Sequence, residues 1–346
     1  FDMDQPHKFD SSNLRRMIYE SPKQFEEGFK LAGGIKVDGS FESVTFSGEG
    51  GSAFPSQLLE IIVRDQAHKE GKAPVRIYTN HSYSLPAEAF NSSLNICCSY
   101  SGNTEETINA LNEAIDKKLS VIGIASGGRL KEICEANNVP LVKLPIPYEH
   151  FQPRIGTGYF VSVMLRLLAN HGLSSDCEKE VLESAPFLTN SMVDLETRGG
   201  DLASKIAGKT PIIYASEKYA RVAMVWKIKF NEHAKNPAFW NFFPELNHNE
   251  MVGFTNLGDR YYLIMLRDSD DDVRNLKRYE VMASVVKEKG LESQVVDLEG
   301  ENAFSKIFGS LYLADFVAYY LSEANEVDPT PVDMVEKFKG LLVAGS

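Results

Sequence analysis

The sequence has no run of about 18 apolar residues, so nothing in it reads as a membrane-spanning helix. Its opening, Phe1-Asp2-Met3-Asp4-Gln5, lacks the basic and then apolar layout of a secretory signal. Cysteine is scarce: Cys97, Cys98, Cys134 and Cys177 show no CxxC spacing, and the adjacent Cys97 and Cys98 point to opposite faces of a strand. A reducing, cytoplasmic setting is the expectation. The seven histidines (His7, His68, His81, His150, His171, His233 and His248) form no HxH or HxxxH pair, and no cysteine stands at ligand spacing, so no metal is expected. Positive charge is in deficit, with a formal net charge of −12, which argues against a nucleic-acid footprint. A small anionic ligand is compatible with that balance, because it needs only local donors. The glycine-rich loop after the first strand imitates GxGxxG only partly, through Gly48, Gly50 and Ala53, and no Gly-Lys-Ser/Thr follows it, which disfavours nucleotide binding.

The chain that remains has 346 residues, 43% of them hydrophobic, enough for two cores. Residues 1–37 are polar and helical in pattern, with Leu14, Met17, Phe25, Phe29 and Leu31 as the apolar points. A βαβ rhythm follows over 38–175, with strand candidates at Ser43–Phe46, Val75–Tyr78, Leu94–Cys98, Val121–Ile124 and Leu141–Leu144. Alternating strands and helices predict an α/β, doubly wound parallel sheet. Residues 176–205 read as a helical connection. A second α/β rhythm fills 206–346, with strands at Pro211–Tyr214, Tyr261–Leu266 and Gln294–Leu298, then helices over Phe304–Ala324 and Val332–Leu342. The expectation is two doubly wound domains, each a parallel sheet flanked by helices.

The chemistry concentrates where strands end. Ser99-Tyr100-Ser101-Gly102-Asn103-Thr104 follows the third strand and opens a helix. Ligands of open α/β sheets bind at that carboxyl edge, and a helix N-terminus offers free N–H groups and partial positive charge. Ser99, Ser101 and Thr104 add hydroxyl donors. The plainer reading is an ordinary N-cap, with the Thr104 side chain doing the capping. Ser47-Gly48-Glu49-Gly50-Gly51-Ser52 joins the first strand to its helix and faces the same edge, with Gly51 freeing the backbone and Ser52 supplying a hydroxyl. Two such loops at one edge favour a phosphate.

Together these loops resemble the signature of the sugar isomerase (SIS) domain. Further along, Phe230-Asn231-Glu232-His233-Ala234-Lys235, Pro244-Glu245-Leu246-Asn247-His248-Asn249-Glu250 and Asp328-Pro329-Thr330-Pro331 resemble the bifunctional phosphoglucose/phosphomannose isomerase family. The resemblance spans nearly the whole chain and implies two SIS-type domains. It also implies metal-independent aldose–ketose isomerisation of sugar 6-phosphates through a cis-enediol. That reaction needs a base over C1 and C2, a group to open the ring and a cation for the enediolate. By resemblance Glu232 is the base, His248 assists ring opening, Arg154 stabilises the enediolate and Lys337 reaches the substrate, with Lys339 the near alternative. Gly51, Ser52, Ser99, Ser101 and Thr104 hold the phosphate, and Thr330 is linked with acting on both C2 epimers.

The resemblance also implies a homodimer with sites near the subunit interface, while the missing apolar run and the net charge lead to the expectation of no membrane and no nucleic-acid partner. Glu49 departs from relatives that carry an apolar residue there, and would repel an anion unless it points away or pairs with Arg154 or Lys337. Ala53 stands where many relatives have glycine. A non-catalytic sugar-phosphate sensor is the alternative of another class. It is disfavoured because residues 1–37 are too short for a DNA-binding domain and Glu232, His248 and Arg154 are all present. An amino-sugar isomerase module would call for a glutamine-hydrolysing domain, which this sequence does not contain.

Overall fold

Short runs of branched, small and apolar residues form the first sheet: β1 (Ser43–Gly48), β2 (Arg76–Asn80), β3 (Ser93–Cys98), β4 (Val121–Ala125) and β5 (Leu141–Lys143). In the computed structural model, which describes residues 5–256 and 260–344, all five run parallel in the order β2-β1-β3-β4-β5. Every residue of β1, β3 and β4 is buried. Central parallel strands are covered on both faces, which is why they read as continuous apolar or small runs rather than as alternation. The edge strands β2 and β5 remain partly exposed.

Helices α1 (Leu14–Glu20) and α2 (Gln24–Ala32) precede this sheet, and α3 (Phe54–Lys69), α4 (Glu105–Asp116), α5 (Gly128–Ala136) and α6 (Thr157–Asn170) accompany it. The connection through α3 carries the chain from β1 outward to β2, whereas α4 and α5 carry it from β3 outward the other way. The direction reverses between β1 and β3. That reversal leaves a crevice beyond their carboxyl ends, the standard ligand position of doubly wound sheets.

The second sheet contains β6 (Thr210–Ser216), β7 (Phe239–Phe243), β8 (Tyr261–Arg267) and β9 (Glu292–Asp297), parallel in the order β7-β6-β8-β9. Its helices are α7 (Glu178–Ile206), α8 (Ala220–Glu232), α9 (Val273–Glu288), α10 (Ala303–Ala324) and α11 (Asp333–Ala344). Tyr214, Phe243, Leu263, Met265, Tyr279 and Met282 belong to its core. Two α/β domains with parallel sheets were the expectation, and that is the architecture found. Strand β7 was not foreseen. The chain divides into a first unit, Glu20–Asn190 with Gly300–Phe308, and a second, Phe1–Tyr19 with Ser191–Glu299 and Gly309–Ser346. The amino-terminal helices are thus shared out, α2 to the first unit and nearly all of α1 to the second.

In the second unit a buried ion pair joins α1 to α7. Arg15 donates from Nε to Glu196 Oε1 at 2.5 Å and from Nη2 to Oε2 at 2.9 Å. The hydroxyls of Tyr19 and Tyr320 donate to the same carboxylate at 2.6 and 2.8 Å. Burial alone would raise the Glu196 pKa, but Arg15 and the two tyrosines hold it below the usual range. Breaking a buried pair from one side leaves a charge without compensation. Glu196→Leu is therefore expected to lower stability by about 3–5 kcal/mol in urea unfolding; a loss below about 1 kcal/mol would show that Arg15 finds water or another acceptor.

Candidate active site

In the first unit the crevice is built by two loops that lock onto each other. After β1, the 3-10 turn Gly50–Ser52 leads into α3. Ser52 is buried and its Oγ accepts the Tyr100 N–H at 2.9 Å, tying this turn to the loop after β3. In that second loop Ser99 is fully buried and organises its neighbours. Its Oγ lies 2.9 Å from Thr104 Oγ1 and accepts the Gly102 N–H at 3.1 Å. Ser101 stands exposed, with its Oγ accepting only the Asn103 N–H at 3.3 Å. Thr104 is the residue before α4, yet its side chain makes no cap bond and turns to Ser99 instead. The plainer N-cap reading of Thr104 is thereby corrected, and the first turn of α4 keeps N–H groups that Thr104 does not satisfy.

A third loop, absent from the sequence reading, holds the second in place. Ser126 donates from N and Oγ to the Tyr100 carbonyl at 2.9 and 2.6 Å, and Leu130 N–H donates to the Gly102 carbonyl at 2.8 Å. Gly102 has φ +72°, and a Cβ there would sit 1.8 Å from the Gly127 carbonyl oxygen. Only glycine fits, on both counts. The signal for this clamp was the Ser126-Gly127-Gly128 run at the end of the fourth strand.

Arg154 is brought to the same place. A Cβ on Gly51 would lie 2.7 Å from the Arg154 N, so the segment before α6 rests directly on the turn after β1. Arg154 is 1% exposed, and its Nη1 donates to Gln152 Oε1 at 3.4 Å. The first unit thus gathers Gly51, Ser52, Ser99, Ser101, Thr104 and Arg154 around one strand edge. Glu49 pairs within its own unit with His81 rather than with Arg154: its Oε2 lies 3.3 Å from His81 Nδ1, just after β2. Burial raises the Glu49 pKa and nearby Glu106 adds to that, while His81 opposes both.

In the second unit Glu232 ends α8 and is half-buried among the apolar positions of that helix. His248 ends the 3-10 turn Glu245–His248 and is exposed. That loop is pinned by Glu250, which accepts from the Tyr214 hydroxyl and from Asn241 Nδ2 on neighbouring strands. Thr330 is buried, with its N–H donating to Asp328 Oδ1 at 2.9 Å. Lys337 and Lys339 both lie exposed on α11; Lys339 pairs with Glu336 at 2.8 Å, whereas Lys337 has no carboxylate partner among the described residues.

The corresponding edge of the second sheet has other chemistry. Between β6 and β8 it carries Glu217 and the fully buried Asp268, the latter 3.4 Å from Lys218 Nζ. Carboxylates there suit an anion poorly, unlike the hydroxyl-lined edge of the first sheet. Among the described residues no group of three His, Cys, Asp or Glu is placed to share a metal ion. No described helix is long and apolar enough to cross a membrane.

The fold recurs in solved structures at low identity. A hypothetical protein from Thermus thermophilus aligns with a TM-score of 0.73 and 15% identity, covering 94% of this chain and 89% of that one. The C-terminal domain of glucosamine-fructose-6-phosphate aminotransferase from Francisella tularensis aligns with a TM-score of 0.70 and 14% identity, covering 93% and 98%. Residues 196–342 match the family described as bacterial phospho-glucose isomerase C-terminal SIS domain. By that match residues 196–342 form a domain of the SIS class. Over 342 residues the chain is 32% identical to the bifunctional phosphoglucose/phosphomannose isomerase of Caldicellulosiruptor bescii, covering 94% of this chain and 97% of the relative. It is also 32% identical to the protein of that name from Thermoplasma acidophilum, covering 93% and 99%. The chain belongs to the bifunctional phosphoglucose/phosphomannose isomerase family.

Two outcomes test the cradle. Gly102→Ala is expected to weaken inorganic phosphate binding by about tenfold or more in calorimetric titration, because the loop must leave the Gly127 carbonyl. Unchanged affinity would mean the loop is not the phosphate holder. Glu49→Gln is expected to tighten inorganic sulfate at pH 8 by up to about tenfold, the weight of a unit negative charge roughly 6 Å from a dianion in water. Equal affinity would show that the carboxylate faces away from the anion.

Proposed function

We propose that this protein interconverts fructose 6-phosphate with glucose 6-phosphate and mannose 6-phosphate, without a metal or other cofactor. Membership of the isomerase family supports the reaction class. The observation that carries the substrate class is the hydroxyl-lined cradle at the β1–β3 reversal, with the backbone of Arg154 resting on Gly51.

The chemistry divides between holding and reacting. Phosphate is taken by the Ser52, Ser101 and Thr104 hydroxyls and by free N–H groups at the helix starts. Ser99 fixes the loop that presents them. Glu232 takes the proton from C2 or C1 and returns it to the other carbon, passing through a cis-enediol. His248 moves the proton between O5 and O1 as the ring opens, a task for a group whose ordinary pKa is about 6.5. Arg154, permanently charged, balances the enediolate oxygen. Lys337 contacts the substrate, and Thr330 sets whether both faces at C2 are served. A homodimer and a cytoplasmic setting belong to this reading; the four buried, unpaired cysteines agree with a reducing compartment.

Turnover of fructose 6-phosphate in excess EDTA, with glucose 6-phosphate and mannose 6-phosphate read separately, tests the reaction. Both products are expected. Glucose 6-phosphate alone would restrict the enzyme to one epimer, and binding without turnover would place the protein among sugar-phosphate sensors. Glu232→Gln is expected to lower kcat by about 10²–10⁴ while inorganic phosphate binding is kept; an undiminished kcat would remove Glu232 from the base role.

A further inference from the structure

Helix α8 buries a lysine and ends beside a buried histidine. Lys229 and His233 lie on either side of Glu232 in the sequence, and both turn into the second unit rather than toward water. They meet the same oxygen. Lys229 Nζ donates to Asp315 Oδ1, on α10, at 2.5 Å, and His233 Nε2 lies 3.2 Å from that atom. The other ring nitrogen of His233 lies 3.4 Å from the Pro329 carbonyl, in the turn that carries Thr330. Lys235 Nζ spans the same gap from outside, donating to the Glu232 carbonyl at 2.5 Å and to the Pro329 carbonyl at 3.3 Å. One carboxylate therefore fastens the end of α8 and, through His233, the Asp328–Thr330 turn.

Stability alone does not call for this arrangement. Three ionisable groups in an apolar interior cost desolvation that well-packed hydrophobic residues avoid. The surroundings are apolar, with Trp226 and Phe230 fully buried on the same helix. Burial by itself would raise the Asp315 pKa, but Lys229 and His233 hold it below the usual carboxylate range, so the carboxylate is ionised and available to both. Such a network has one arrangement in which every partner is met, whereas an apolar contact can slide.

We propose that Asp315 is a positioning residue for the isomerisation, setting Glu232 and Thr330 relative to one another through Lys229 and His233. It touches no reacting atom. It fixes where the base ends and where the turn beside it begins. The inference rests on the roles of Glu232 and Thr330 given above.

The test is Asp315→Asn in the full chain, with His233→Asn as the milder variant that leaves the Lys229–Asp315 pair in place. Misplacing a catalytic group by about 1 Å costs on the order of 10²-fold. For Asp315→Asn, kcat for fructose 6-phosphate is expected to fall between about tenfold and a hundredfold. Its KM and the inorganic phosphate Kd should stay within about twofold, and the mannose to glucose product ratio should shift. His233→Asn should shift that ratio in the same direction with a smaller loss of kcat. If both variants keep the native ratio and the native kcat per folded molecule, whatever happens to Tm, the positioning role is overturned. Should Asp315→Asn fail to fold, the His233→Asn product ratio decides alone. Absence of turnover in the native protein would overturn the proposed function first and this inference with it, whereas native turnover with every folded variant indifferent overturns this inference only.

Discussion

Strands β1 and β3 run side by side to the register pair Gly48–Cys98, and the chain then leaves them in opposite directions. That divergence is the constraint on which the first unit depends. It opens a space that no strand of the sheet fills. Each loop around it is held by another loop: Ser52 receives the Tyr100 N–H, Ser126 and Leu130 bind the carbonyls of Tyr100 and Gly102, and the Arg154 segment rests on Gly51. The hydrogen bonds that shape the cradle are internal to it, so its donors are preorganised before a ligand arrives.

The second sheet repeats the topology without repeating the chemistry. Its reversal between β6 and β8 is capped by Asp268 and Lys218, and its hydroxyl, Ser216, lies buried. The second unit's proposed residues sit elsewhere: Glu232 at the end of α8, His248 in the loop after β7, Thr330 in the turn after α10 and Lys337 on α11. A shared wiring plan thus carries different loop chemistry in its two copies, as expected when function lives in loops rather than in the scaffold.

Much of this was legible in the sequence, for physical reasons that differ by element. Central strands such as β3 and β4 are buried on both faces and so announce themselves as apolar runs. Strand β7 did not. It is an edge strand between Pro237 and Pro244, with Asn241 at its middle and Phe239 exposed, and edge strands lack a buried pattern to read. The hydroxyl loops were visible because their residues are contiguous. The pairing of Glu49 with His81 was not, since it follows from β1 and β2 being neighbours in register, Ser47 opposite Asn80. Least visible was the Lys229–Asp315–His233 group, spread over two helices far apart in sequence. Charged residues on helices read as solvated faces until packing shows otherwise.

The proposed holding of phosphate by neutral hydroxyls and N–H groups would have a thermodynamic consequence for the family reaction. The phosphate of an aldose 6-phosphate and of its ketose partner is the same group, unchanged as carbons 1 and 2 exchange a proton. Interactions with it lower the free energy of both bound sugars and of the state between them by equal amounts. Such a cradle sets how much substrate is needed for saturation, and cannot tilt the balance between bound isomers. The on-enzyme equilibrium is left to whatever surrounds the other end of the sugar.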